Sequence, residues 1–210
     1  MAPRFLAPTI KDHPLSQYYQ FQSRIYDLTR WSFLFGRKHL LASLPFRPTE
    51  PLQILEVGCG TGHNLLRLAK KYPEAEITGI DLSTDMLAKA GKKVAHFGNR
   101  VQLVNGAFGD AGLGDGFDLI IFSYCLTMVN PGWEALVRAA HRRLLPQGLI
   151  AVVDFHDSPI PIFERHMSGH HVRMEGHLLP LLTEKFREEN CRIRNAYGGI
   201  WRWFEYLGRK

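Results

Sequence analysis

Short apolar runs alternate with amphipathic segments along most of the chain. Five runs predict buried strands, at residues 51–57, 77–81, 101–105, 117–123 and 149–155. Between them, apolar residues recur at helical spacing, at residues 64–71, 84–91 and 131–144. Strands that are apolar on both faces and alternate with helices are typical of a parallel sheet covered on both sides. We therefore predict an α/β fold with a mostly parallel sheet.

The C-terminal end of the chain predicts a different arrangement. A helix is predicted near residues 179–188, and two strands are predicted at about 191–197 and 200–207. Because only a short turn joins these two strands, we expect an antiparallel hairpin that closes one edge of the sheet. The complete prediction is a seven-stranded, mostly parallel sheet with helices on both faces and a C-terminal antiparallel hairpin.

The first 45 residues predict a separate helical segment. Prolines interrupt residues 1–14, but from Leu15 onward the apolar residues follow helical spacing. We predict that residues 1–45 form a helical lid over the substrate and that residues 46–210 form one folded unit. The aromatic run 31–35 has two open interpretations: it is the buried side of a helix that docks on the sheet, or it inserts into an anionic membrane surface.

Composition and charge narrow the class of protein. The chain has 210 residues, of which 45% are hydrophobic and 22% charged, as in an ordinary globular domain. No apolar run approaches a membrane span, and residues 1–8 are too short and proline-broken for a signal peptide, so we expect a cytoplasmic protein. Three widely spaced cysteines argue against a disulfide framework and a zinc ribbon. The net charge of +6 suits an acidic partner, either nucleic acid or an anionic bilayer.

A glycine-rich turn follows the first predicted strand. Gly58, Gly60 and Gly62 occupy three of five positions, which costs backbone entropy and contributes no packing. Such glycines indicate positive φ angles or the close approach of a ligand to bare main chain. The helix that follows offers unpaired N–H groups and a positive dipole end to a polar ligand. We therefore predict a ligand site at this turn.

Asp81 ends the next predicted strand and sharpens that prediction. It follows Gly58 by the spacing at which the second strand of a βαβ unit ends beside the first. A carboxylate there can accept both hydroxyls of a bound ribose. The alternative is that Asp81 only caps the helix that begins near Ser83. Both interpretations can hold together.

These residues resemble the class I S-adenosylmethionine (SAM)-dependent methyltransferases, which have a Rossmann-like fold. The resemblance rests on the motif at residues 55–62 and on Asp81-Leu82-Ser83 followed by Met86-Leu87. It implies SAM as cofactor and S-adenosylhomocysteine as product. It also implies the cofactor-binding residues Glu56, Gly58, Cys59, Gly60, Thr61, Gly62, Asn64, Asp81, Leu82, Met86, Ala107, Phe108, Ser123 and Tyr124.

The adenine contact departs from the family pattern. The family often has an acidic residue just after the third strand, where this chain has Ala107 and Phe108. Either the loop is shifted and Asp110 reads the adenine, or the main chain of Phe108 does so while its ring packs nearby. At the end of the fourth strand, Ser123 and Tyr124 are expected to face the sulfonium, because ligands bind at the carboxyl ends of such strands.

Two further runs resemble the bacterial betaine-lipid methyltransferases, which trimethylate the amine of diacylglyceryl-homoserine. The runs are residues 24–37 and residues 153–180, the second of which contains a cluster of histidines. The resemblance implies an N-methyltransferase at the inner face of the membrane. Its partners would be the lipid headgroup at an anionic membrane surface and the enzyme that makes the homoserine lipid.

A zwitterionic headgroup needs a cation for its carboxylate and aromatic faces for its ammonium. The candidate catalytic residues are Tyr26, Tyr124, His170 and Arg173, and Arg173 with the histidines around it is expected to hold the headgroup carboxylate. The candidate substrate-binding residues are Tyr19, Arg30, Trp31, His156, His166 and His177. The alternatives are that Tyr26 only packs in the core and that Arg173 forms an ordinary surface salt bridge. We expect no metal, because the histidines have no accompanying thiolate and methyl transfer requires none.

Three competing functions follow from the same residues. Phosphatidylethanolamine or a quinone precursor is the alternative acceptor. The basic composition also suggests an RNA methyltransferase or nucleic-acid-binding protein, but the cations are scattered and no base-flipping motif is present, so we expect no nucleic acid. A protein without catalytic activity is disfavoured by the intact glycine turn and Asp81.

Overall fold

The computed structural model describes residues 33–109 and 112–210, which build one seven-stranded sheet. The strands are β1 (Gln53–Val57), β2 (Glu76–Asp81), β3 (Val101–Asn105), β4 (Phe117–Ser123), β5 (Leu144–Phe155), β6 (Arg187–Ala196) and β7 (Trp201–Arg209). Their order across the sheet is β3-β2-β1-β4-β5-β7-β6. Strands β1 to β5 are parallel, whereas β7 runs antiparallel to both β5 and β6. The predicted α/β fold with a C-terminal hairpin is confirmed.

Helices cover both faces of the sheet. In the described ranges they are α1 (Arg37–Ala42), α2 (His63–Lys71), α3 (Thr84–Val94), α4 (Trp133–Arg143), α5 (Pro161–Ser168) and α6 (Leu178–Lys185). Leu40, Leu65 and Leu87 bring α1, α2 and α3 onto one face, in the same core as Ile54. On the other face, α4 and α6 pack in the same core as Leu55. Because Ile54 and Leu55 are neighbours in β1, the alternation of side chains along each strand supplies both cores.

Two boundaries and one helix differ from the sequence prediction. Residues 145–148, which lie between the predicted helix at 131–144 and the predicted strand at 149–155, belong to β5, where Gln147 has a φ of 68° and the pairing with β4 shifts between Phe117 and Leu119. The helix expected near 179–188 ends at Lys185, because Phe186 is already extended as β6 begins. Helix α5 was not predicted. It has no fully buried residue; Phe163 and Met167 pack partly buried against the first core, and so short an apolar stripe is a weak helix signal in a sequence.

The reversal of strand order lies between β1 and β4. The chain moves outward in one direction from β1 through β2 to β3, and in the other direction from β4 onward. The loops after β1 and β4 therefore diverge at the carboxyl ends of these strands and leave a crevice between them. The glycine turn follows β1, so the fold places the predicted ligand site at this crevice.

The described part of the aromatic run, residues 33–35, docks on the sheet. The ring of Phe35 lies edge-on to Trp201, with 5.6 Å between ring centroids, and Phe33 stacks on the same indole at 6.5 Å. Leu34 and Phe35 pack against the first core. Residues 1–32, which include most of the predicted lid, lie outside the described residues. No helix of the described ranges has the length and apolarity needed to cross a bilayer.

Gly36 fixes the junction between this run and α1. Its φ is 77°, and a Cβ atom built on it would lie 2.1 Å from the indole ring of Trp203. Only glycine fits there, because the left-handed backbone and the indole both exclude a side chain.

We expect Gly36→Ala to lower the free energy of unfolding by about 2 kcal/mol or more, because the Trp203 ring must move in addition to the backbone strain. Gly198→Ala is the matched control, since Gly198 has a φ of 70° and no atom within 4 Å of its built Cβ. That control should cost only about 1 kcal/mol. Urea unfolding measures both, and equal losses would contradict the packing role of Gly36.

Candidate active site

The glycine turn after β1 is held in a left-handed conformation. Gly58, Gly60 and Gly62 have φ angles of 70°, 54° and 73°. The amides of Gly58 and Cys59 donate to the carbonyl of Ile80 at 2.9 and 3.1 Å, which ties the turn to β2. A Cβ atom on Gly58 would lie 2.8 Å from the Sγ atom of Cys125. The turn is therefore bare main chain that packs closely between β2 and the loop after β4.

Asp81 links the glycine turn to the loop that begins α3. Its Oδ2 atom accepts from the amide of Gly60 at 2.7 Å, and its Oδ1 atom accepts from the amide of Ser83 at 2.9 Å. The cap of α3 belongs to Ser83, whose hydroxyl accepts from the amide of Met86. Asp81 thus positions the turn and is not the helix cap itself. Its predicted contact with a ribose stays a prediction.

A buried polar pair links β1 to α2 on either side of the glycine turn. The Nδ2 atom of Asn64, in the first turn of α2, donates to Oε1 of Glu56 at 2.7 Å, and the Glu56 side chain is almost fully buried. Around this pair lies a narrow cavity lined by Arg37, Glu56, Gly58, Cys59, Thr61, His63, Asn64 and Ser123. Sequence analysis did not assign Arg37 to this site, because Arg37 lies outside the motif and no local pattern in the sequence connects the two.

The end of β4 carries Tyr124 in a left-handed conformation, with a φ of 53°. Its hydroxyl donates to the carbonyl of Phe35 at 2.9 Å, and its ring lies edge-on to Phe155 at 4.8 Å. Burial raises the pKa of Tyr124 well above its ordinary value, so the hydroxyl stays protonated at neutral pH. Tyr124 therefore holds the segment before α1 against the carboxyl end of β4.

The loop after β4 is organised by Asp154, a residue to which sequence analysis gave no role. This fully buried carboxylate lies near the end of β5 and accepts from the amides of Leu126 and Phe155, each at 2.9 Å. The hydroxyl of Thr127 donates to Oδ1 at 2.5 Å. Burial raises the pKa of Asp154 to about 6, although these donors favour the charged form. The carboxylate thus fixes the loop that borders the crevice.

The predicted adenine contacts lie at the end of β3. The ring of Phe108 is buried edge-on to Phe122 at 6.1 Å, and the guanidinium of Arg143 lies 5.6 Å from its centroid. Met86 is also buried in the core, and Leu82 is half-buried. Ala107 is half-buried beside Phe108. Residues 110–111 lie outside the described residues, so the choice between Asp110 and the main chain of Phe108 stays open.

The predicted substrate residues separate into two groups. His156 and His177 lie together at the carboxyl end of β5, where the amide of Gly176 donates to the carbonyl of His156 at 2.8 Å. Burial lowers the pKa of both histidines, and the nearby Arg173 lowers that of His177 further. The rings of His166 and His170 instead lie edge-on to each other, with 4.9 Å between their centroids, on exposed positions in and just after α5.

Arg173 forms an ion pair with Glu175, with 2.8 Å between Nη2 and Oε2. This is the contact that the salt-bridge alternative expected, and it leaves the guanidinium 43% exposed beside His177. Among the described residues, no group of three His, Cys, Asp or Glu side chains is arranged to hold a metal ion. Four predicted residues, Tyr19, Tyr26, Arg30 and Trp31, lie outside the described residues.

Comparison with known proteins identifies the central part of the chain. Residues 54–148 match a family model described as "Methyltransferase domain". The malonyl-[acyl-carrier protein] O-methyltransferase of Priestia megaterium is 34% identical over 106 residues, which are 50% of this chain and 38% of that protein. The demethylmenaquinone methyltransferase of Staphylococcus aureus is 30% identical over 131 residues, which are 61% and 53% of the two chains. The chain thus matches about two fifths to one half of these relatives' length.

A solved structure supports the fold over a longer stretch. Phosphoethanolamine N-methyltransferase 2 of Haemonchus contortus, in complex with phosphomonomethylethanolamine and S-adenosylhomocysteine, superposes with a TM-score of 0.76. The match covers 97% of this chain and 61% of that chain at 16% identity, which shows the fold. Residues 54–148 therefore match a methyltransferase domain, and the chain has the fold that the resemblance implied. The names of these three proteins do not include a betaine lipid, and acceptor identity does not follow from them.

We expect Asp81→Ala to weaken binding of S-adenosylhomocysteine about tenfold or more, because it leaves amide donors of the turn without their acceptor and removes a partner for ligand hydroxyls. Asp81→Asn retains one acceptor oxygen and should have an intermediate effect. Asp85→Ala, at an exposed position in the first turn of α3, is the control. Titration calorimetry measures the dissociation constants, and equal values for wild type and Asp81→Ala would contradict this role.

A second prediction concerns the loop after β4. Thr127→Val should raise the pKa of Asp154 above its value of about 6, because the hydroxyl donor that favours the ionised carboxylate is lost. A raised carboxyl pKa means that the folded state binds the proton more tightly. The free energy of unfolding therefore falls as pH rises from the ordinary value of 3.8 to about 6, and in Thr127→Val this fall should extend to higher pH.

Carboxyl-carbon NMR titration measures this pKa directly. Thr183→Val is the matched control, since the exposed Thr183 hydroxyl donates only to carbonyls of its own helix. An unchanged or lower pKa in Thr127→Val would refute the role of the hydroxyl.

Proposed function

Because residues 54–148 match a methyltransferase domain, we propose that the protein is a SAM-dependent N-methyltransferase of a lipid headgroup. The proposed reaction converts diacylglyceryl-homoserine to diacylglyceryl-N,N,N-trimethylhomoserine at the inner face of the membrane. The observation that carries methyl transfer is the glycine turn, whose bare main chain is held at the crevice by Asp81. The acceptor rests on the resemblance of residues 24–37 and 153–180 to the betaine-lipid enzymes.

The residues at the crevice fit SAM. The left-handed glycine turn leaves main chain where a nucleoside can approach closely, and Asp81 stands at the end of β2 beside it. Arg37 and the Glu56–Asn64 pair supply a cation and a polar wall next to the turn. SAM, when bound, supplies an electrophilic methyl group. The protein's task is then to align a nucleophile and to exclude water, to which the Tyr124–Phe35 contact contributes by closing the end of β4.

His156 and His177 are suited to receive the proton of an acceptor amine. An amine attacks only in its neutral form, so a base near the carboxyl ends of the strands assists the reaction. The lowered pKa of both histidines keeps their rings neutral at pH 7. Both ring nitrogens of His177 are buried and have no hydrogen-bond partner within residues 33–109 and 112–210. A neutral imidazole with unsatisfied nitrogens is a suitable proton acceptor for a headgroup ammonium.

The comparisons support an amine acceptor in outline. The Haemonchus contortus structure combines this fold with an amine-bearing, anionic acceptor, phosphomonomethylethanolamine. The Staphylococcus aureus relative favours a second candidate, a quinone precursor, because it is named for demethylmenaquinone. The two candidates differ in the atom that is methylated. A quinone precursor has no amine and is methylated at a ring carbon or an oxygen, but this also releases a proton, so the two histidines are compatible with either acceptor.

We expect transfer of labelled methyl groups from SAM to diacylglyceryl-homoserine in mixed micelles, in products that carry one, two and three methyl groups by mass spectrometry. Phosphatidylethanolamine and demethylmenaquinone are supplied in parallel as competing acceptors. His177→Gln should lower kcat at neutral pH, where the wild-type ring is neutral and can accept the proton of the amine, and the difference should shrink in acid, where the wild-type ring is itself protonated. The exposed His96, in the 3-10 helix after α3, provides the control His96→Gln. Labelling of demethylmenaquinone alone would contradict the proposal.

A further inference from the structure

A basic cavity of about 640 Å³ lies beside the candidate cofactor site. Its cationic residues are Arg37, Lys38, Arg67 and Arg194, and Trp203 forms one wall. It shares Arg37, His63 and Asn64 with the narrow cavity at the glycine turn. Its volume falls within the range of small-molecule sites. Three of its cations, Lys38, Arg67 and Arg194, do not line the narrow cavity at the glycine turn.

Separate elements of the fold bring these cations together. Lys38 lies in the first turn of α1, and Arg67 lies one turn after His63 on the same face of α2. Arg194 is on β6, directly opposite Trp203 of β7. The contact between Gly36 and the Trp203 ring sets the position of α1 relative to this strand pair. The cavity is therefore built by the packed core and does not depend on one loop.

Among the residues that the structure describes, no carboxylate lines this cavity. Within residues 33–109 and 112–210, Lys38, Arg67 and Arg194 form no ion pair, whereas Arg173, Arg202 and Arg209 each pair with an acidic residue. The carboxylate of Glu205 stays out of the lining, because it is 1% exposed and its Oε2 atom lies 2.7 Å from Nδ1 of His39. Like charges that converge without counter-ions repel each other, so their arrangement does not stabilise the fold. It favours an anionic ligand.

We propose that the basic cavity binds the anionic oxygen group, carboxylate or phosphate, of the methyl acceptor. Lys38, Arg67 and Arg194 bind the anion by charge-assisted hydrogen bonds, which are the strongest that a partly exposed site can supply. The inference rests on the proposed function, since it assigns the acceptor's charged group to a subsite next to the cofactor. It differs from the expectation that Arg173 holds this group, because Arg173 already pairs with Glu175.

The first experiment tests the anion site without any methyl transfer. Inorganic phosphate is titrated into the whole protein saturated with S-adenosylhomocysteine, and binding is followed by calorimetry. We expect Arg67→Gln and Arg194→Gln each to weaken phosphate binding about fivefold or more, because each removes one charge-assisted contact. Arg138→Gln, at an exposed position on α4, is the matched control and should bind like wild type. Equal affinity in all four proteins would overturn the proposal.

The second experiment distinguishes the sources of the anion. The substrate is the lipid that the wild-type protein methylates. With this acceptor, Arg67→Gln should raise KM for the lipid and leave both kcat and the dissociation constant of S-adenosylhomocysteine unchanged. A matching loss of S-adenosylhomocysteine affinity would assign the cavity to the cofactor and overturn the proposal. Weaker binding to phosphatidylglycerol vesicles with unchanged KM would make the cations a membrane contact, and would also overturn it.

The two proposals fail in different ways. If no lipid is methylated by the wild-type protein, the proposed function fails, whereas the phosphate titration still reports on the cavity. If lipid is methylated but phosphate neither binds nor competes with it, the anion subsite fails and the proposed function stands.

Discussion

The carboxylate of Asp81 joins the two loops that form the candidate cofactor site, after β1 and after β2. One of its oxygen atoms accepts from the glycine turn after β1, and the other accepts from the loop that begins α3 after β2. Three left-handed glycines are costly to order, and an isolated turn of this kind would sample many conformations. The charge-assisted hydrogen bond from Gly60 to Asp81 acts together with two hydrogen bonds from backbone amides to the carbonyl of Ile80. These bonds select the conformation in which main chain faces the crevice. The rest of the site is arranged around this turn.

A second buried carboxylate performs the same task on the other side of the crevice. Asp154 accepts from the loop after β4, and the Tyr124 hydroxyl holds the segment before α1 against that loop. The two acids, Asp81 and Asp154, thus hold the loops on both sides of the point where strand order reverses. The basic cavity lies farther out, where α1, α2 and the β6–β7 pair meet. Cofactor, amine and anion can in this way be served by neighbouring but distinct groups.

The sequence predicted what periodicity and local motifs encode. Continuous apolar strands were sufficient for the sheet and its hairpin, and the glycine turn with Asp81 lies at the crevice where a ligand was predicted; binding of the cofactor there stays a prediction. The prediction missed α5, because the two partly buried apolar residues of this short helix, Phe163 and Met167, are too few to establish a helical period. It gave no role to Asp154, because a single acidic residue near the end of an apolar strand is expected to be exposed to solvent there. It also missed the basic cavity, since Lys38, Arg67 and Arg194 are distant in sequence and only the packing of three elements brings them together.

A crystal structure of the protein with S-adenosylhomocysteine tests the central claim most directly. The account predicts the nucleoside above the carboxyl ends of β1 and β2, with its ribose hydroxyls on Asp81 and its main body against the bare main chain of residues 58–62. Density for the ligand at any other position, or a crevice that stays closed by side chains at saturating ligand, would contradict it.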